Sequence, residues 1–212
     1  MKLDDFKGWF KGCDVVVAGC GPSVKRNAPW MRRLAAEHWT IACNRAAIWF
    51  QPTFALCMER RADPIWKALE SHDALAMFTH RATPPMRGAK KSPCPPRSVN
   101  VDCKDVRSFL EPHEFARDRM NTLRLNQSTF YGIAVAAHLG FQTIGVAGLD
   151  LSGDRWPTDL HIEEAAYTRL RGCVERKGSR ILNLSDESRL ESFQRGTWDD
   201  IQPREPRPAV TT

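Results

Sequence analysis

Asp14-Val-Val-Val-Ala-Gly-Cys-Gly-Pro-Ser23 is the stretch that decides the fold. Residues 14–18 are a short β-branched run closed by glycine, which predicts a strand buried on both faces, as in parallel sheets. The glycines and Pro22 then turn the chain into a helix from about Ser23, with Trp30, Met31 and Leu34 on its inner face. The same alternation recurs outward from this unit. Residues 40–43 and 53–57 predict a second and a third strand. Asp63-Pro64 reads as an N-cap and a first-turn proline, opening a helix through Leu69. Residues 74–79 form a weaker strand. The stretch at about 80–98 is rich in Pro, Arg and Lys and lacks periodicity, so it predicts a long loop. Order returns near Val99. A helix over 128–139 and a strand over 143–147 lead into Gly-Leu-Asp-Leu-Ser-Gly-Asp. A helix over 161–177 carries Ile162, Ala165, Ala166, Leu170, Cys173 and Val174 as one stripe. Gly178 ends it, and residues 180–183 are the last strand. The expected fold is one α/β unit, a Rossmann-like, doubly wound and mostly parallel sheet over 1–195, with a disordered tail over 196–212. Ligands of such sheets bind outside the carboxyl ends of the strands.

The chain has 212 residues and 42% apolar content, enough for one self-sufficient core. Its seven cysteines are odd in number, form no CxxC pair and lie partly inside apolar runs. A disulfide framework and a zinc knuckle are therefore not expected, and a reducing cytoplasm is the expected location. No run approaches the about 18 apolar residues of a membrane span, and the first residues do not read as a signal peptide. The net charge of +6 suits anionic partners, nucleic acid included, but equally suits plain solubility.

Four places carry candidate chemistry. Gly19, Gly21, Pro22 and Ser23 stand between a strand and a helix, where glycines admit a phosphate to backbone N–H groups and Ser23 can cap the helix or donate to the ligand. The turn lacks the third glycine of a dinucleotide fingerprint and the Lys of a P-loop. A tight turn without ligand is the alternative. Asn44 and Arg45 end the second strand. Asn44 can read a base or ribose edge and Arg45 suits a phosphate; a turn asparagine and a surface arginine are the alternative. Gly148 and Asp150 close the 143–147 strand, and Asp150 can meet a metal, meet a hydroxyl or cap a turn. No Asp-x-Asp signature occurs, so no metal site is expected. His161 opens the 161–177 helix, where the helix dipole favours neutral imidazole, a competent general base. A packing histidine is the alternative.

Taken together, VVVAGCGPSV (15–24), CNRA (43–46), STFYGIAVAAHLGFQTIGVAGLDL (128–151) and His161 resemble the bacterial sialyltransferases of lipooligosaccharides. They also resemble the wider group that includes flagellin glycosyltransferases and the 6-hydroxymethylpterin pyrophosphokinase. The resemblance implies a GT-A-like sheet that binds a cytidine nucleotide sugar. It places Gly19, Gly21, Pro22 and Ser23 by the phosphates, Asn44 on the nucleotide, Ser128 and Thr129 toward the donor, and His161 as the base for the acceptor hydroxyl. This chain has Cys20 where relatives often carry Asn, and its short 152–160 stretch lacks their tyrosines. The function expected is sugar transfer from a cytidine or uridine nucleotide sugar, with no other cofactor, to a hydroxymethylated DNA base or a glycan. On the DNA reading, Trp156 and the basic loop with Arg87, Lys90 and Lys91 meet the acceptor. A pterin pyrophosphokinase-like transferase and a non-catalytic nucleotide-binding protein are the alternatives. Sequence does not fix the oligomeric state.

Overall fold

The structure is a computed structural model that describes residues 3–58, 63–71, 75–79, 98–101, 128–151 and 160–204. Among the described residues eight strands form one sheet: β1 (Asp14–Ala18), β2 (Trp39–Cys43), β3 (Phe54–Cys57), β4 (Leu75–Thr79), β5 (Ser98–Val101), β6 (Thr143–Ala147), β7 (Arg180–Asn183) and β8 (Gln194–Arg195). Their order is β5-β4-β3-β2-β1-β6-β7-β8, and every neighbouring pair is parallel. The order reverses at β1, where the chain leaves toward β2 and returns at β6. The carboxyl ends of β1 and β6 therefore mark the switch point, where open sheets of this kind bind their ligands.

Strand alternation feeds two cores. Val15, Val17, Ile41, Leu56, Ile144 and Val146 face one side, packed against α5 (Ser128–Leu139) and α6 (Leu160–Arg176). Val16, Ala18, Ala42, Ala55 and Ala147 face the other side. There they meet α1 (Pro22–Arg26), α2 (Ala28–Glu37), α3 (Ala46–Trp49) and α4 (Asp63–Glu70). Helix α5 is buried from end to end, as its all-round apolar sequence requires. Gly132 permits its close approach, because a Cβ there would lie 2.7 Å from Cys43 Sγ and 2.8 Å from Val17 Cγ1.

Three expectations change. The helix after β1 is two helices that break at Asn27. Pro29 lacks an N–H and its ring collides with the carbonyl four residues earlier, so one helix cannot run through it. In the long helix Ala165 is exposed and Tyr167 is fully buried; the small Ala165 lies beside the stripe, and the aromatic ring fills the core. The tail expected to be disordered from 196 is packed as far as 204. A turn of 3-10 helix (Trp198–Asp200) leads into Ile201. The Ile201 side chain occupies the hollow over Gly145, where a Cβ would meet its Cδ1 at 2.9 Å. Gln202 N–H then donates to Asp14 (3.0 Å) and Arg204 N–H to the Glu37 carbonyl (2.8 Å). Residues 205–212, and the loop from 80 up to β5, lie outside the described residues.

Candidate functional site

The three strand-end turns that sequence singled out meet at the switch point. Gly19 N–H donates to Ala147 O at 2.8 Å and Gly21 N–H to Gly148 O at 2.9 Å. A Cβ on Gly19 would lie 2.6 Å from Thr129 Oγ1 and 2.7 Å from Gly148 O. One on Gly21 would lie 2.5 Å from both Asp150 Oδ2 and Gly148 O. The glycines of this turn are thus required by its packing against the β6 end, not by space for a ligand. Gly148 has φ +69°, a left-handed turn that glycine adopts without strain.

Asp150 is the centre of this junction. It is 1% exposed. One carboxylate oxygen accepts the Ser23 N–H (2.8 Å) and the other the Ser23 hydroxyl (2.7 Å). Asp150 therefore caps α1 with its negative charge at the positive end of the helix. This corrects the picture of an open helix terminus. Ser23 spends both donors on Asp150, and Val24 N–H is bonded to Gly21 O. Of the roles open to Asp150, the structure shows the cap.

Asn44 has φ +49° and Leu151 φ +48°. Both are non-glycine residues in the left-handed region, and both lie at the carboxyl end of the sheet. Asn44 Oδ1 accepts the Met58 N–H at 2.7 Å, which ties the ends of β2 and β3. Arg45 is exposed beside it. The Cys20 thiol, also exposed, donates to the Cys43 carbonyl at 3.1 Å and links the ends of β1 and β2. Burial pushes the Cys43 thiol pKa well above its ordinary value, and nearby Cys20 adds to the shift.

Ser128 and Thr129 open α5 and are buried, Thr129 against Gly19. His161 is the second residue of α6, so its backbone enters at the first turn. Tyr167, further along that helix, has its ring 5.7 Å from Phe130 of α5. Burial, then the Glu163 carboxylate, then Cys43 push its phenol pKa well up. The second turn of α6 thus packs against the first turn of α5, with Tyr167 near Cys43 at the end of β2. Glu163, buried in that first turn, was missed by sequence reasoning. Its one signal is the four-residue spacing from Tyr167. Arg87, Lys90, Lys91 and Trp156 lie outside the described residues. Among the described residues no three His, Cys, Asp or Glu side chains converge as metal ligands. No described helix is long and apolar enough to cross a membrane.

No family model matches this sequence, and no curated protein does. Several solved structures share its fold, among them two glycosyltransferases. One is the MAf glycosyltransferase of Magnetospirillum magneticum AMB-1, at 17% identity and TM-score 0.55; the match covers 97% of this chain and 39% of that one. The other is the sialyltransferase CstII of Campylobacter jejuni, in complex with the substrate analogue CMP-3FNeuAc, at 14% identity and TM-score 0.51. That match covers 86% of this chain and 85% of the other. This chain has the fold of those glycosyltransferases. It spans well under half of the MAf protein.

Proposed function

We propose that this chain is a glycosyltransferase whose donor, a nucleotide-activated sugar, binds at the carboxyl end of the sheet. The observation that carries the reading is the convergence of Gly19–Ser23, Ser128–Thr129 and Gly148–Asp150 at the switch point. Asn44 and Arg45 stand beside them at the end of β2. The shared fold with CstII, seen with a CMP-sugar analogue, favours a cytidine nucleotide over a uridine one.

The α1 terminus is already neutralised by Asp150, so the positive charge for the phosphate falls to Arg45 and to the first turn of α5. Gly19, Gly21, Pro22 and Ser23 then shape the floor under the phosphates. Asn44 keeps its amide N–H₂ for the nucleotide, since its Oδ1 is engaged by Met58. In the reaction His161 takes the proton of the acceptor hydroxyl as that oxygen bonds to the anomeric carbon. The sugar–phosphate C–O bond breaks, and the nucleotide departs with the electron pair. No divalent metal is required. The acceptor is a hydroxymethylated DNA base or a glycan hydroxyl, the former matching the net charge of +6.

Release of CMP or UMP from a panel of nucleotide sugars, with and without chelator, tests this reading. Metal-independent release supports it. Activity only with ATP and magnesium on a pterin would replace it with the pyrophosphokinase reading. Nucleotide binding without turnover would leave a binding protein. His161→Ala should lower turnover by about 10²–10⁴-fold with little change in donor affinity or melting temperature. A folded, fully active variant overturns the base assignment.

A further inference from the structure

A concavity lies on the sheet face opposite α5 and α6. It measures about 300 Å³ and opens between α1–α2 and the segment after β7. That volume is at the lower end of the range of small-molecule sites. Val24, Met31 and Leu184 give it an apolar floor. Trp30 and Trp198 form one wall, with ring centroids 4.0 Å apart and planes at 72°. Asp186 and Glu187 are the charged residues in its lining, both exposed. Arg26 of α1 reaches across to pair with Glu187, and Arg195 holds the carbonyls of Ser185 and Ser188 in the same segment. Glu187 is engaged by Arg26, which leaves Asp186 as the other carboxylate of the lining. Ser23 and Ser185 also line the cavity.

We infer that this cavity is a second binding site, for a small organic ammonium ion with a flat apolar body. The indole wall and apolar floor take the body. Asp186 takes the charge, and cation–π attraction to the indoles adds to it. Arg26 is already paired with Glu187 and Arg195 with two carbonyls, so an anion in the cavity would face the Asp186 carboxylate. The two serines tie the cavity to the switch-point turns: Ser23 donates to Asp150, and the Ser185 hydroxyl accepts the Gly148 N–H at 2.7 Å. An occupant therefore touches residues that hold the switch-point turns in place, while lying on the other face from α6.

Calorimetric titration of the nucleotide-free protein with benzylammonium, benzyl alcohol and benzoate tests this inference independently of any donor. Benzylammonium should bind saturably, about tenfold more tightly than benzyl alcohol, and benzoate should not bind. Asp186→Asn should weaken benzylammonium by about threefold to fivefold and leave benzyl alcohol unchanged. Trp198→Ala should weaken both. The inference is overturned by absence of saturable benzylammonium binding at millimolar concentration, by equal binding of the alcohol, or by an Asp186→Asn protein that binds like the wild type. Asp186 is exposed, so its variant tests the site even where Trp198→Ala does not fold.

Discussion

At the amino ends of its strands the sheet is closed mainly by aromatic rings, and at the carboxyl ends mainly by glycines and the Asp150 carboxylate. Below β1, Phe10 stacks on Phe141 with centroids 4.7 Å apart, and meets Trp39 and Phe54 edge-on at 5.0 and 5.6 Å. Apolar area does most of the holding there, beside the Asp14 carboxylate, which accepts the Thr143 and Gln202 N–H groups. Above β1 the contacts are backbone against backbone, with Gly19, Gly21 and Gly148 in touch and Asp150 buried between them. Asn44 and Leu151 hold left-handed backbone at the same end. Such contacts tolerate little change and store strain, which a fold concentrates where function requires a shape.

The comparison breaks if the two ends respond alike to mutation. Phe141→Ala should cost about 3–5 kcal/mol, measured by urea denaturation, because it empties a fully buried ring site. Nucleotide affinity per folded molecule should not change; a large loss would mean the ends are not separable. Asp150→Ala should cost less, about 2–3 kcal/mol, by leaving Ser23 donors without their acceptor. It should nonetheless weaken nucleotide binding, because the turn under the phosphates loses its anchor. Asp150→Asn keeps one acceptor and should fall between the wild type and Asp150→Ala. Gly21→Ala should cost about 1–3 kcal/mol, and less in the Asp150→Ala background, since part of its clash is with that carboxylate.

The smallest effect belongs to the strap after β8. The Asp200 carboxylate accepts the Thr197 N–H at 2.7 Å and its hydroxyl at 3.0 Å. These bonds, the backbone one first, hold its pKa below the ordinary value. A lowered folded-state pKa gives stability that is present above the unfolded value and lost as pH falls through the folded one. Asp200→Asn should therefore narrow the stability difference between neutral pH and the acid side of the carboxylate range. A stability profile identical to the wild type would show that the cap is unimportant to the strap.

Much of the sheet was legible from sequence because its strands are buried on both faces and read as unbroken apolar runs. The switch-point turns were legible because glycine at a strand end has few other uses. Their interior was not. A sequence shows that Ser23 and Asp150 can each bond something, but it cannot show that they bond each other across 127 positions. The strap was hidden for a related reason: Ile201 is one apolar residue in a polar stretch, and the hollow that receives it is made by Gly145. Glu163 was hidden because acidic residues on a helix normally face water.

Calorimetric titration with CMP of the wild type and of Arg45→Ala tests the central claim most directly. Arg45 is exposed, so its removal should leave folding intact. The account predicts saturable binding by the wild type and an affinity about tenfold or more lower in the variant, as expected for loss of a charge-assisted phosphate contact. A folded wild type that shows no saturable heat with CMP or UMP, or a variant that binds CMP as well as the wild type, would contradict it.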